Sequence, residues 1–196
     1  MIAIVKYNAG NIQSVLYALQ RLRIDAVWTD VPDVLRKADK VIFPGVGEAS
    51  SAMAYLRANH LDEVLPTLTQ PVLGICLGLQ LFCRHSEEND AQCLGIFDVE
   101  VKKFVPAPGA VKVPHIGWNT LTHLRGPLFK GIPEEAYAYF VHSYYAEYSA
   151  DAIAVCDYGL PFSAALQKDN FYAVQFHPEK SGVTGLQIIQ NFIDLR

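Results

Sequence analysis

Apolar and polar positions follow two different periods along the first half of the chain. Ile2 to Tyr7 is a short, almost continuous apolar run, the pattern of a strand buried on both faces. After Gly10 and Asn11, apolar residues recur at Ile12, Val15, Leu16, Leu19 and Leu22, which is a helical spacing. Ala26 to Trp28, Val41 to Phe43 and Val72 to Ile75 read as further short strands. The stretch rich in Ala, Leu and Met between Gly47 and Leu68 predicts helix, interrupted near Asn59 and Pro66, and LGLQLFCRH after Cys76 predicts another. Strands alternating with helices imply an α/β fold, a parallel sheet wrapped by helices.

The pattern changes between Gly95 and Phe176. GIFDVEVKKF, AYAYFVHSYYAEY, AIAVCDY and FYAVQF are strand-like and separated by Pro and Gly turns. They predict antiparallel strands attached to the edge of the same sheet. The tail GVTGLQIIQNFIDL returns to helical spacing through Leu186, Ile189, Phe192 and Ile193. No linker, repeat or low-complexity stretch divides residues 1–196, so one domain is expected.

Composition narrows the function classes. Apolar residues make up 51% of the chain and charged residues only 18%, which excludes a disordered polar segment. The 16 basic and 20 acidic side chains leave a net charge of −4 with no basic run, so a nucleic-acid module is not expected. No apolar run approaches the roughly 20 residues that cross a bilayer, and the N-terminus lacks the basic leader of a signal peptide. Cys76, Cys83, Cys93 and Cys156 form no C-x-x-C pair and no metal-like spacing with histidine. Free thiols in a reducing compartment, the cytoplasm, are the simpler reading, with no metal and no cofactor.

Three segments carry candidate chemistry. Gly74-Ile75-Cys76-Leu77-Gly78 lies between a predicted strand and a predicted helix, the setting of a nucleophile elbow with cysteine in place of serine. The helix that starts there favours thiolate over thiol at its positive end. Alone, the pentapeptide fits a buried structural cysteine between turn glycines equally well. Gln175-Phe176-His177-Pro178-Glu179 shifts that balance. Pro178 biases His177 toward extended backbone, and residues two apart in an extended chain share a side. Glu179 can then hold one imidazole nitrogen while the other faces a thiol, the generalised triad of acyl transfer. Pro44-Gly45-Val46-Gly47 follows another predicted strand. Its amides, with that of Leu77, can meet the oxyanion that thiolate attack on an amide creates. The segment is neither a G-x-G-x-x-G fingerprint nor a phosphate-binding Gly-Lys-Ser/Thr loop, so nucleotide binding is not supported.

With these segments in order, the chain resembles the class I (triad) glutamine amidotransferases. Within them it is most similar to the glutaminase subunits of imidazole glycerol phosphate synthases of histidine biosynthesis. GICLGLQLF and QFHPEKS carry the wider likeness; GNIQSV, FPGVGEA, VPHIGWN and YFVHSYY carry the narrower one, and together they span the whole chain. The resemblance implies a flavodoxin-like mixed, mostly parallel sheet flanked by helices, with the nucleophile at its carboxyl edge. It implies that Cys76 attacks the side-chain amide of glutamine to give a glutamyl thioester. His177 moves the protons and Glu179 orients it. Gly45, Val46, Gly47 and Leu77 supply the oxyanion site. Gln80, Glu88, Ser143 and Tyr144 match positions that hold glutamine. After PGVG the loop reads Glu48-Ala49-Ser50-Ser51, where relatives often carry small or aromatic residues.

The resemblance also implies a second chain. Ammonia released to water is protonated and loses its nucleophilicity, so it must pass directly to an acceptor. The implied partner is a (β/α)8-barrel cyclase subunit that makes imidazole glycerol phosphate and an aminoimidazole carboxamide ribotide. Asn11, Trp118, Tyr139 and Lys180 match interface positions. Alternatives are a glutaminase subunit of another synthase, such as the pyridoxal phosphate type, a stress-type cysteine hydrolase on a similar sheet, and a catalytically silent binding module.

Overall fold

The structure is a computed structural model and describes residues 1–8, 12–106 and 111–195. Strands β1 (Ile2–Val5), β2 (Ala26–Thr29), β3 (Lys40–Phe43) and β4 (Val72–Ile75) alternate with helices α1 (Ile12–Arg21), α2 (Pro32–Lys37), α3 (Ala49–Ala58) and α4 (Leu61–Val64). Helix α5 (Leu77–Phe82) follows β4 after a single residue. The second half adds β5 (His85–Ser86), β6 (Ala91–Gln92), β7 (Glu100–Lys103), β8 (His115–Leu121), β9 (Ala136–His142) and β10 (Tyr144–Ala146). It ends with β11 (Ala152–Asp157), β12 (Pro161–Lys168), β13 (Phe171–Val174) and helix α6 (Gly182–Asp194).

The main sheet runs β11-β12-β13-β4-β3-β1-β2. From β13 to β2 every pairing is parallel, in the order of a flavodoxin-like doubly wound sheet. Strands β1, β4 and β13 are buried at every position, which is why their sequences are apolar throughout. Successive residues feed opposite faces. Ala3, Val5, Val41, Phe43 and Val72 pack with Met53, Leu56, Leu61 and Phe82 on one side. Ile2, Ile4, Ile42, Leu73 and Ile75 pack with Val15, Leu19, Ile188 and Phe192 on the other.

Three expectations need correction. The strands of the second half do not all join one edge. β11 and β12 extend the main sheet, but β10-β7-β5-β6 form a second sheet and β8–β9 a separate antiparallel ribbon. FYAVQF is not antiparallel to its inner neighbour, because β13 pairs parallel with β4. Asn170 fixes that register: its side-chain amide donates to the carbonyls of Leu68 and Gln70, both at 2.8 Å, and its carbonyl accepts from Val72 N. The helix predicted from LGLQLFCRH ends at Phe82. Cys83 is extended (φ −67°, ψ 176°), and Arg84 pairs its amide with Val99 O at 3.0 Å, so long-range strand pairing overrides local propensity. Helix α2 lacked a prediction, although Pro32 and Asp33 at its start and Arg36 and Lys37 at its end are standard boundary signals.

The fold sets the carboxyl ends of β3, β4 and β13 side by side. Each of the three candidate segments begins at one of these ends.

Candidate active site

Cys76 occupies the single-residue junction between β4 and α5 with φ 53° and ψ −106°. A positive φ is strained for a side chain with a Cβ, and here the surroundings enforce it. The Cys76 amide donates to Val174 O at 2.8 Å, tying the elbow to β13. The flanking glycines are required by close packing. A Cβ on Gly74 would lie 2.8 Å from the Phe82 ring and 2.9 Å from the Gly78 backbone, and a Cβ on Gly78 would run into the Phe43 carbonyl.

His177 lies just past β13 in extended conformation (φ −99°, ψ 95°), and its amide donates to Tyr139 O at 2.9 Å. Its Nδ1 meets Glu179 Oε1 at 2.8 Å, with the two side chains 3% and 4% exposed. Glu179 sits in the 3-10 turn Pro178–Lys180, so the pair closes through a turn and not along a strand. Glu179 Oε2 is buried without a hydrogen-bond partner among the described residues. Burial works against a charged His177, yet the nearby Cys76 sulfur and then Glu179 outweigh that penalty and push the imidazole up to about 10. A protonated imidazole is the form this arrangement favours at neutral pH.

Burial pushes Cys83 well up, and it takes Cys93 and Cys156 up to about 12. They are poor nucleophiles at neutral pH.

A cleft of about 350 Å³ opens over Cys76 and His177. Val46, Gly47, Leu77, Gln80, Glu88, Ser143 and Tyr144 are among the residues that line it. Gly45 is buried behind the wall, and Glu179 stands behind His177. Glu88 Oε2 accepts from Ala49 N at 2.8 Å, and burial, followed by the nearby Glu48, raises the Glu88 carboxyl. Glu48 caps α3 by accepting from Ser50 N and Ser51 N, at 2.7 and 2.9 Å, and its carboxyl falls to about 2. The Glu48-Ala49-Ser50-Ser51 loop is therefore a helix start tied to the cleft through Glu88.

The oxyanion segment is not arranged as expected. The Leu77 amide donates to the carbonyl of Gly45 at 3.4 Å, so a backbone oxygen stands against the proposed donor. The Tyr7 hydroxyl donates to the preceding carbonyl, Pro44 O, at 2.7 Å. Gly47 has φ 127°, a conformation only glycine enters freely.

Of the candidate interface residues, Lys180 is exposed and lines the cleft. Trp118 is 55% exposed on the β8–β9 ribbon and meets Tyr139 edge to face at 5.8 Å. Asn11 lies outside the described residues. Sequence reasoning missed Gln175 and His142. Gln175 is wholly buried with its amide 3.7 Å from Cys76 Sγ, and His142 lines the cleft. The two-residue spacing from Gln175 to His177 was the available signal for the former.

Comparison with known proteins fits this geometry. The glutamine amidotransferase class-I family model matches residues 4–195. The chain belongs to that family. An imidazole glycerol phosphate synthase subunit HisH from Bacteroides thetaiotaomicron is 59% identical over 99% of both chains. The HisH subunit of Yersinia pseudotuberculosis is 45% identical, again over 99% of both. The chain is thus also a member of the HisH group and an enzyme of the amidotransferase class. Among solved structures, one described as a glutamine amidotransferase superposes with a TM-score of 0.76 at 17% identity, covering 99% of this chain and 98% of that one. A chain of PurLQS from Thermotoga maritima superposes at 0.69 with 16% identity, covering 98% of this chain and 97% of that one. At such identities the structural likeness speaks for the fold alone.

No group of three or more His, Cys, Asp or Glu side chains among the described residues is placed to hold a metal ion. No helix among them is long and apolar enough to cross a membrane.

Proposed function

We propose that the chain is a single amidotransferase domain, residues 1–196, acting as the glutaminase subunit of imidazole glycerol phosphate synthase. The observation that carries this reading is the array of Cys76 and His177 lining the cleft with Glu179 behind the imidazole, in a chain 59% identical to a HisH subunit. Cys76 thiolate adds to the side-chain amide carbon of glutamine. Imidazolium His177 gives its proton to the amide nitrogen, which leaves as ammonia, and a glutamyl thioester remains on Sγ. Neutral His177 then takes a proton from water as the oxygen attacks the thioester. Glutamate departs, and the thiolate–imidazolium pair is restored. Glu179 stabilises each charged state of the imidazole.

Glu88 and Gln80 hold the amino-acid end of glutamine. An α-ammonium beside Glu88 favours the ionised carboxylate that burial disfavours. Ser143 and Tyr144 line the same cleft. The oxyanion forms where the Leu77 amide points, so the Gly45–Val46 peptide must turn its carbonyl away before attack is fully supported.

The (β/α)8-barrel cyclase partner docks on the face that carries Ile116, Trp118 and Tyr137, with Tyr139 and Lys180 nearer the cleft. Those three apolar side chains are exposed, and Trp and Tyr are common interface anchors. Tyr139 connects the face to the catalytic segment, because its carbonyl accepts from His177 N. Docking, with acceptor substrate bound, frees the Leu77 amide and limits glutamine loss. The compartment is the reducing cytoplasm.

The test is glutamate release by the chain alone, with the cyclase partner, and with the cyclase and its nucleotide substrate. A rise of at least tenfold in the full mixture supports the reading. Equal rates in all three mixtures contradict it.

A further inference from the structure

Gln175 is a polar side chain with 0% exposure. Its surroundings fix the orientation of its amide. Gln80 lies 3.0 Å from the carbonyl of Tyr144, which can only accept, so the Gln80 end facing it is the NH₂ group. The same NH₂ group reaches Gln175 at 3.2 Å, so the Gln175 atom there is its oxygen. The Gln175 NH₂ group is therefore turned toward Cys76 Sγ, at 3.7 Å. The Tyr144 carbonyl anchors this polarity further, because His142 Nδ1 also donates to it at 2.7 Å.

We infer that Gln175 is a catalytic residue: it donates a hydrogen bond to the Cys76 sulfur and, by accepting from Gln80, turns the Gln80 oxygen into the cleft toward substrate. This rests on the reading of Cys76 as nucleophile. The sulfur also faces the Val141 carbonyl at 3.8 Å, an acceptor that suits a thiol and opposes a thiolate. His177 supplies one counterweight, and it must leave that role when it protonates ammonia. Gln175 supplies a second that carries no proton to lose. It favours the thiolate before attack, and it favours the sulfur as leaving group when the thioester is hydrolysed. Its carbonyl leaves Gln80 with both N–H groups engaged and its own oxygen free, the right polarity for an ammonium or amide N–H of glutamine.

The test uses Gln175→Met, which keeps volume and removes both donor and acceptor, in the full chain. The rate of Cys76 alkylation by iodoacetamide is followed against pH by mass spectrometry of the labelled peptide. Glutamine turnover is measured in parallel with the cyclase partner present. Loss of one charge-assisted hydrogen bond moves the acid limb of alkylation upward by about one pH unit. On the same argument kcat falls by about tenfold, with a smaller rise in KM as Gln80 loses its anchor. A merely structural role would not move the limb in a protein that still melts cooperatively.

Should Gln175→Met not fold, Gln80→Met decides. Without the Gln80 donor, the Gln175 amide is free to turn, and the limb shifts in the same direction by a smaller amount. A limb coincident with that of the unsubstituted protein, in Gln175→Met or, failing its folding, in Gln80→Met, overturns the inference. Alkylation that spares Cys76 in the unsubstituted protein instead overturns the nucleophile assignment, so the two failures are distinguishable.

Discussion

Nδ1 of His177 and Oε1 of Glu179 stand 2.8 Å apart inside the protein, with neither side chain more than 4% exposed. A buried carboxylate this close stabilises imidazolium and leaves the opposite ring nitrogen for Cys76. Glu179→Gln keeps the shape and removes the charge. Loss of a charge-assisted contact predicts a fall in glutamine turnover of about ten- to a hundredfold. The His177 titration, now held up to about 10, moves down. Turnover with the partner present and NMR titration of the His177 ring check both. An unshifted ring would show that Glu179 is a bystander.

Gly78 packs against the Phe43 carbonyl, a backbone atom with no rotamer by which to escape an added methyl. Gly78→Ala forces β3 and α5 apart, at an expected loss of about 1–3 kcal/mol of stability or more. Urea denaturation measures it directly. Stability equal to the unsubstituted protein would mean that the elbow is looser than its geometry indicates.

Gly47 presents the contrasting case. A Cβ there meets only Leu77 Cδ2, at 4.0 Å, so space is available. The obstacle is its φ of 127°, which an alanine enters only with strain of about 1–3 kcal/mol. Gly47→Ala is therefore expected to fold and to lose most partner-stimulated glutaminase activity, because the oxyanion segment must rearrange through this residue. A paired melting curve and turnover assay separate the two effects.

His115 and His142 form a buried pair, Nδ1 to Nε2 at 3.0 Å. Burial depresses their values to about 4 and about 3 respectively. The unfolded histidines titrate near 6.5, so between that pH and the native values the unfolded chain binds protons the native one refuses. The pair's contribution is complete above pH 6.5 and falls as the pH drops toward 4, by at most about 1.4 kcal/mol per pH unit for each ring. Urea midpoints from pH 7.5 down to pH 5 should fall, and they should fall less steeply in His142→Gln. Parallel profiles would count against the pair as a source of acid lability.

What the sequence revealed and what it hid follow from the range of the forces involved. β1, β4 and β13 are covered on both faces, so their apolar runs announced them. The Cys76 elbow was legible because close packing demands the glycines that stand two residues to either side of it. Where pairing is decided by distant partners, local pattern was silent. Arg84 leaves the helix because Val99 is waiting for it, and β8 and β9 pair with each other away from the main sheet. Gln175 read as part of an apolar strand, since its polar partners, Gln80 and Cys76, lie some hundred positions away. The engaged Leu77 amide depends on one peptide orientation, which residue types do not encode.

Covalent labelling with a diazo-ketone analogue of glutamine tests whether Cys76 is the nucleophile of a glutaminase. The chain is incubated with the analogue in the presence of the cyclase partner, and the modified peptide is mapped by mass spectrometry. One adduct is expected, on Cys76, with none formed in Cys76→Ala and no glutamine turnover by that variant. An adduct on Cys83, Cys93 or Cys156, or glutamine hydrolysis that survives Cys76→Ala, would contradict it.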